Sequence, residues 1–167
     1  MKVFGVIGWK NTGKTTLTER LVSTLTGRGY RVSTIKHTHH DVEIDTPGTD
    51  SYRHRLAGAH EVLLASGVRW ALMHEAKEDQ PEEPSVDALL ARLAPVDLVL
   101  VEGYKYSQHP RLEVYRAGTP HAPVAVSDPT VLALVTDTVL DVGDRPQFPL
   151  DAIDAIADFI QQTVRLP

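Results

Sequence analysis

The sequence lacks cysteine, has a deficit of positive charge and contains no long apolar run. None of its 167 residues is cysteine, which excludes disulfides, cysteine-ligated zinc, iron–sulfur clusters and thiol nucleophiles. Lysine and arginine total 17 against 22 aspartates and glutamates, and this balance argues against a nucleic-acid binder or a protein of anionic membrane surfaces. The apolar run at residues 3–7 is too short for a signal peptide or a membrane span. We therefore expect a cytoplasmic protein with a single domain over residues 1–167.

Alternating strand and helix patterns predict an α/β fold. Residues 3–7 form an apolar run that ends at glycine, residues 14–26 repeat leucine at helical spacing, and residues 30–35 are the next predicted strand. This βαβ unit predicts a mostly parallel sheet flanked by helices. The other expected elements are a hairpin at 62–73 turning at Ser66-Gly67, strands at 96–101, 111–115, 123–126 and 131–135, and helices at 50–59, 85–93 and 150–164.

The turn between the first strand and helix carries a complete phosphate-binding motif. It fits G-x-x-x-x-G-K-[ST] and consists of Gly8, Trp9, Lys10, Asn11, Thr12, Gly13, Lys14 and Thr15. Glycines allow backbone N–H groups to converge on phosphate oxygens, and the following helix directs its positive end to the same point. Lys14 would neutralise the β- and γ-phosphates, and the Thr15 hydroxyl would ligate Mg²⁺. The motif therefore predicts a P-loop NTPase-like fold that binds a nucleotide with Mg²⁺.

A second Mg²⁺ contact is expected at the end of the buried strand 96–101. Asp97 lies at its start and Glu102 directly after it, about 16 Å apart at ~3.3 Å per residue. Ligands of open parallel sheets lie beyond the carboxyl ends of the strands. Glu102 is therefore the predicted metal-side residue, and Asp97 is interpreted as a strand-entry residue.

A polar segment follows the second strand at the same edge of the sheet. Lys36 is a candidate anion contact, and His37, His39 and His40 are interpreted as a phosphate- or partner-contacting loop, with metal binding and plain solvent exposure left open. Further along, the carboxylates of Asp41, Asp45 and Asp50 are candidates for outer contacts to Mg²⁺.

Thr136 and Asp137 follow the strand 131–135, again at the carboxyl end. A carboxylate there could accept hydrogen bonds from both N1–H and N2–H₂ of guanine, a donor pattern that adenine does not offer. The alternative is a turn or cap aspartate. This pair is the residue-level indication for GTP over ATP.

Taken together, these motifs resemble the molybdopterin-guanine dinucleotide biosynthesis protein B (MobB) family. The similar segments are residues 8–16, 35–41, 47–51, 57–59, 69–73 and 100–105. The resemblance implies a P-loop GTP-binding protein, usually homodimeric, with weak GTP hydrolysis. It also implies an accessory role beside the MobA-type guanylyltransferase that joins GMP to molybdopterin.

On this resemblance, Lys14, Thr15 and Thr16 bind phosphate and Mg²⁺, Glu102 completes the Mg²⁺ side, and Asp50 lines the same cleft. Whether molybdopterin itself is contacted stays open, and the hairpin at 62–73 is a candidate dimer interface.

Two other functions are compatible with a P-loop. A small-molecule kinase commonly carries an arginine-bearing lid over its phosphates, whereas the segment 75–87 has six acidic residues, one lysine and no arginine. A metallochaperone-type GTPase could store metal on the histidine cluster, but the lack of cysteine and the short histidine tract argue against it. The accessory GTPase is therefore the favoured interpretation.

Overall fold

A six-stranded parallel sheet organises the larger part of the molecule. The computed structural model describes residues 1–38, 42–75 and 83–167. They form two compact units, Met1–His37 with Val86–Pro167, and Thr38–Ser85. The single domain expected over residues 1–167 stays a prediction.

The elements are numbered in chain order. They are β1 (Lys2–Gly8), α1 (Lys14–Gly27), β2 (Val32–Lys36), α2 (Asp50–Leu56), β3 (Glu61–Ala65), β4 (Trp70–His74), α3 (Val86–Leu90), β5 (Leu98–Glu102), β6 (Arg111–Tyr115), a 3-10 turn (Val124–Val126), β7 (Val131–Thr136), β8 (Gln147–Phe148) and α4 (Ile153–Val164).

The strand order of the large sheet is β2-β5-β1-β6-β7-β8, and every pairing in it is parallel. Parallel strands bring their carboxyl ends to one edge, where ligands of such sheets bind. The register aligns Glu102 with both Val6 and Lys36 at this edge. This architecture, with its separate hairpin, confirms the predicted P-loop NTPase-like α/β fold.

Helices α1 and α4 pack together on one face of the sheet. The leucine stripe of α1 (Leu17, Leu21 and Leu25) and the isoleucines of α4 (Ile156 and Ile160) share one buried cluster with inward residues of β1, β5 and β6. Smaller clusters cover the opposite face around α3 and the 3-10 turn. Because both faces are covered, β1 and β5 carry mostly apolar side chains on both sides, as is usual for parallel sheets. The neighbouring strand β6 also buries Arg111 and Glu113.

The smaller unit consists of α2 and the hairpin β3–β4. Helix α2 packs against β3, and Val62 and Met73 are the buried side chains of the hairpin. The expected hairpin is confirmed, but its loop has four residues, 66–69, rather than two. Ser66 closes this loop, since its N–H donates to the carbonyl of Arg69.

Residues 123–126 are not the strand that the apolar pattern predicted. They contain the 3-10 turn because the buried carboxylate of Glu113 accepts hydrogen bonds from the N–H groups of Val124 and Ala125, both at 2.9 Å. The two-residue strand β8 was not predicted. Among the described residues, no helix is long and apolar enough to cross a membrane.

Candidate nucleotide-binding site

The loop between β1 and α1 has backbone conformations that favour glycine at its two ends. Gly8 has φ +147°, and a Cβ there would lie 2.3 Å from the carbonyl oxygen of Val114. Gly13 has φ +101° and directly precedes α1. Side chains are excluded at Gly8 by contact and disfavoured at Gly13 by the positive φ. The two motif glycines therefore serve the loop conformation that the sequence predicted.

Three residues hold the interior of this loop together. Thr12 is 1% exposed, and its hydroxyl donates to the carbonyl of Trp9 at 3.0 Å. The Nζ of Lys14 donates to the same carbonyl at 2.7 Å. Burial lowers the pKa of Lys14. The carboxylate of Glu102 opposes this effect, whereas the positive charges of Lys105 and Lys36 add to it. An anion bound here would stabilise a poorly hydrated ammonium, which is the role of a phosphate-binding lysine.

The predicted metal side is formed by residues from three elements. Thr15 in α1 donates its hydroxyl proton to Oε1 of Glu102 at 2.8 Å. Lys36, the last residue of β2, places Nζ 3.7 Å from the same oxygen. Glu102 is 7% exposed. A hydroxyl and a carboxylate are the hard oxygen donors that Mg²⁺ prefers, so this donor set fits the ion.

Asp97, at the other end of β5, has a structural contact of its own. Its Oδ2 accepts a hydrogen bond from the N–H of Arg31 at 2.8 Å, just before β2. The contact joins the starts of two neighbouring strands. This agrees with its interpretation as a strand-entry residue.

Gly103 and His37 bring the ends of β5 and β2 into close contact. Gly103 has φ +97°, and a Cβ there would lie 2.8 Å from Cβ of His37. The N–H of His37 donates to the carbonyl of Glu102 at 2.8 Å, and its ring lies 4.5 Å from that of Tyr104. His37 is therefore at the predicted edge, beside the backbone of Glu102.

Several predicted residues are placed elsewhere or lie outside the described chain. His39, His40 and Asp41 lie outside the described residues. Asp50 is the first residue of α2, in the smaller unit, and its role at the cleft stays a prediction. Asp45 accepts a hydrogen bond from Arg55 at 3.0 Å in the same unit.

On the other side of the loop, the sheet edge carries an arginine that the sequence analysis missed. Arg116 follows β6, and its Nε donates to the carbonyl of Thr12 at 3.2 Å. Its Nη1 lies 3.3 Å from Oδ2 of Asp137, whose Oδ1 accepts the N–H of Ala117 at 2.8 Å. The Ala117 hydrogen bond, assisted by Arg116, lowers the pKa of Asp137 below its usual range. Thr136 closes the turn after β7, since its Oγ1 accepts the N–H of Thr138 at 3.2 Å.

A cleft of about 350 Å³ opens beside this arginine. It is lined by Trp9, Lys10, Asn11, Thr12, Arg116, Ala117, Gly118, Thr119, Pro120 and His121. The indole of Trp9 is fixed on three sides, by the ring of His121 at 4.2 Å, by Nζ of Lys105 at 3.5 Å from its ring, and by a hydrogen bond to the carbonyl of Ala122. Aromatic, cationic and backbone groups of this kind suit a nucleobase.

The structure thus collects most of the predicted residues at one edge of the large sheet. The loop 8–16 lies between the metal side (Lys36, His37 and Glu102) and the cleft side (Thr136 and Asp137). The signal that found Asp137, a polar residue after a strand, also applies to Arg116 after the strand 111–115. Lys105 and His121 gave no such signal, because their approach to Trp9 depends on loops.

Comparison with known proteins decides the family. The family model described as molybdopterin guanine dinucleotide synthesis protein B, MobB, matches residues 3–137. The chain belongs to the MobB family. The resemblance inferred from the motifs is therefore confirmed, together with the expected role as an accessory protein of molybdenum-cofactor biosynthesis.

Individual MobB relatives cover almost the whole chain. It is 40% identical over 155 residues to the molybdopterin-guanine dinucleotide biosynthesis adapter protein of Escherichia coli (strain K12), covering 91% of this chain and 87% of that protein. The protein of the same name from Haemophilus influenzae is 39% identical over 161 residues, covering 95% of this chain and 87% of that protein. The crystal structure of a MobB homologue from Bacillus stearothermophilus has a TM-score of 0.70 and 28% identity, with 100% of both chains covered.

Proposed function

We propose that this MobB family member is a GTP-binding adapter that supports the conversion of molybdopterin to its guanine dinucleotide form. The observation that carries the proposal is the phosphate-binding loop with its metal side assembled, where Lys14 lies within the loop and Thr15 contacts Glu102. The names of the E. coli and H. influenzae relatives support the adapter role.

The site offers separate places for the parts of GTP. The loop 8–16 would hold the phosphates through its backbone N–H groups, Lys14 and the start of α1. Thr15 and Glu102 would hold Mg²⁺, which when bound neutralises phosphate charge. The cleft beside Arg116 would take the base.

Asp137 is the proposed guanine reader. Its two oxygens are oriented by Ala117 and Arg116, and each retains acceptor capacity, since an ionised carboxylate has about four lone-pair sites. Asp137→Ala should reduce the preference for GTP over ATP. Arg116→Ala serves as a second variant, since it removes one contact that orients Asp137 but keeps the carboxylate. An unchanged GTP-to-ATP ratio in Asp137→Ala would show that other groups read the base.

Slow GTP hydrolysis is part of the proposal. Fast phosphoryl transfer in P-loop proteins uses an arginine placed against the transferred phosphate. Arg116, which contacts the loop, is instead held on the cleft side by Thr12 and Asp137. The rate of GTP hydrolysis by the protein alone would therefore be low.

Titration of the protein with GTP, ATP and GDP tests the proposal. It is done with and without Mg²⁺, and with and without a MobA-type guanylyltransferase. We expect Mg²⁺-dependent GTP binding in preference to ATP, and a complex with the transferase. Absence of nucleotide binding would contradict the GTP-binding part of the proposal. GTP binding without any contact with the transferase, or any effect on it, would contradict the adapter part. Whether molybdopterin is contacted directly is tested by adding molybdopterin to the same mixtures and measuring its binding to the protein.

We also propose a homodimer formed through the hairpin β3–β4. One face of the hairpin carries exposed apolar side chains. Leu63 lies opposite Leu72, and Trp70 lies opposite Ala65 on the same face. Leu63, Leu72 and Trp70 are 61%, 39% and 64% exposed. A two-stranded hairpin gains stability when further strands or a second surface cover it. A second copy of this chain provides a matching apolar face. We also propose a cytoplasmic location for this protein.

Light scattering after size-exclusion chromatography tests the dimer. Trp70→Glu should give a monomer. Val139→Glu is the matched control, because Val139 is 93% exposed and lies in the other unit. A monomeric wild-type protein at micromolar concentration, or a dimeric Trp70→Glu variant, would rule out this interface.

A further inference from the structure

Three metal-ligating side chains meet at the open end of the hairpin β3–β4. His60 directly precedes β3, Glu61 is its first residue, and His74 is the last residue of β4. The strand register places Glu61 opposite His74. One ligand atom from each of the three side chains lies within 4.8 Å of the others.

The contacts within this group already orient its ligand atoms. Nδ1 of His74 lies 3.0 Å from Oε1 of Glu61. The rings of His60 and His74 approach edge to face, with centroids 4.7 Å apart and an interplanar angle of 75°. All three residues are exposed in the single chain. Glu61 and His74 share a hairpin face with Leu63 and Leu72, so in the proposed dimer the site lies at the end of the interface, and an ion reaches it without any rearrangement of the core.

Two imidazoles and one carboxylate select a particular class of ion. Imidazole nitrogen suits Zn²⁺, Ni²⁺ and Cu²⁺, whereas Mg²⁺ and Ca²⁺ take oxygen ligands. Zn²⁺ binds nitrogen and carboxylate oxygen at about 2.0–2.2 Å, which puts the donor atoms of one ion closer together than 4.8 Å. Side-chain rotation at three exposed residues can close this gap while the hairpin backbone stays in place.

We propose that His60, Glu61 and His74 form a binding site for a divalent transition-metal ion of the Zn²⁺ class. The ion replaces the contact between His74 and Glu61 and links the start of β3 to the end of β4. Three protein ligands leave a coordination position open to water or another ligand.

The neighbouring carboxylates pair with an arginine side chain. Arg55 contacts Glu75, the residue after His74, at 3.5 Å, and it also pairs with Glu43 and Asp45. These acids therefore belong to an arginine-centred group beside the proposed site. Among the residues that the structure describes, the ligand set consists of His60, Glu61 and His74.

Zn²⁺ titration of the untagged protein by calorimetry at pH 7.5, without nucleotide, tests the site. Co²⁺ absorption provides a second readout of nitrogen and oxygen ligation. We expect one Zn²⁺ per chain, with stoichiometric binding lost in His60→Ala and in His74→Ala. His54→Ala is the matched control, since His54 is an exposed histidine of α2 in the same unit. It should bind as the wild type does.

The other histidine cluster provides the decisive comparison. A variant with His37, His39 and His40 all changed to alanine should retain the ion. Three results would each overturn the proposal. They are loss of Zn²⁺ binding in that triple variant, unchanged binding in both His60→Ala and His74→Ala, and no stoichiometric binding by the wild type. Circular dichroism checks that the variants are folded, and Glu61→Gln, which keeps the side-chain shape, should weaken binding without unfolding.

Discussion

The carboxylate of Glu102 should govern Mg²⁺ affinity far more than nucleotide affinity. Glu102→Gln keeps the shape of the side chain, and its amide oxygen can still accept the Thr15 hydroxyl at the 2.8 Å position. It removes one negative charge from the metal side. The loop backbone and Lys14, which are proposed to hold the phosphates, are left in place, so the effects on Mg²⁺ and on nucleotide can be separated.

The magnitude follows from the distance between Thr15 and Glu102. A Mg²⁺ ion ligated by Thr15 at about 2.1 Å lies at most about 5 Å from Oε1, which is 2.8 Å from the hydroxyl oxygen. A double charge at that distance attracts a carboxylate by about 2 kcal/mol in water and about 7 kcal/mol at an effective dielectric constant near 20. Lys36, at 3.7 Å, competes for the same oxygen and reduces the net gain. We therefore expect a loss of about 10–100-fold in Mg²⁺ affinity, or about 1.4–2.7 kcal/mol.

The assay is a Mg²⁺ titration of the GTP complex followed by nucleotide fluorescence. Asp97→Asn is the matched control, because it makes the same chemical change at the opposite end of β5, where Asp97 contacts Arg31. Its Mg²⁺ affinity should equal that of the wild type. Equal Mg²⁺ affinities in the wild type and Glu102→Gln, or an equal loss in Asp97→Asn, would refute the assignment of Glu102 to the metal side.

Three further predictions concern the loop, the sheet edge and the core. Lys14→Ala should abolish GTP binding in calorimetry, while Lys2→Ala, a change at the start of β1, should not; near-normal affinity of the first would refute the phosphate role. Gly103→Ala should lower the free energy of unfolding in urea by about 1–3 kcal/mol. The loss should be smaller in Gly118→Ala, because Gly118 also has a positive φ, of +82°, but has nothing within 4 Å of an added Cβ. Burial raises the pKa of Glu113, so stability should fall as pH rises from the ordinary carboxyl pKa to the raised one, by at most about 1.4 kcal/mol per pH unit. Glu113→Gln should lack that slope, and an identical pH profile would exclude Glu113 as its source.

Local sequence patterns were sufficient to predict the positions of the site residues that lie in one motif or at the end of a strand. The loop 8–15 is a single motif, and its glycine positions follow from backbone sterics. Glu102 could be assigned because a strand places its last residue at the ligand edge in any parallel sheet. Lys36 and His37 follow from the same rule applied to β2.

Contacts made by loops were not predictable in the same way. Arg116 reaches Thr12 across 104 positions of sequence, and Trp9 reaches Ala122 across 113. Such pairs depend on the path of the connection after β6, which has no periodic pattern. The 3-10 turn illustrates the same limit, because an apolar run predicted a strand, whereas a buried Glu113 supplied hydrogen-bond acceptors that stabilise a turn.

The arrangement around Trp9 connects the interior of the loop to the neighbouring cleft. Its carbonyl accepts hydrogen bonds from both Lys14 and Thr12, and its indole lines the cleft. A phosphate that takes over the Lys14 ammonium leaves this carbonyl with Thr12 alone, while the Thr12 carbonyl remains held by Arg116. Phosphate binding therefore changes the hydrogen bonding of the residue that forms one wall of the cleft.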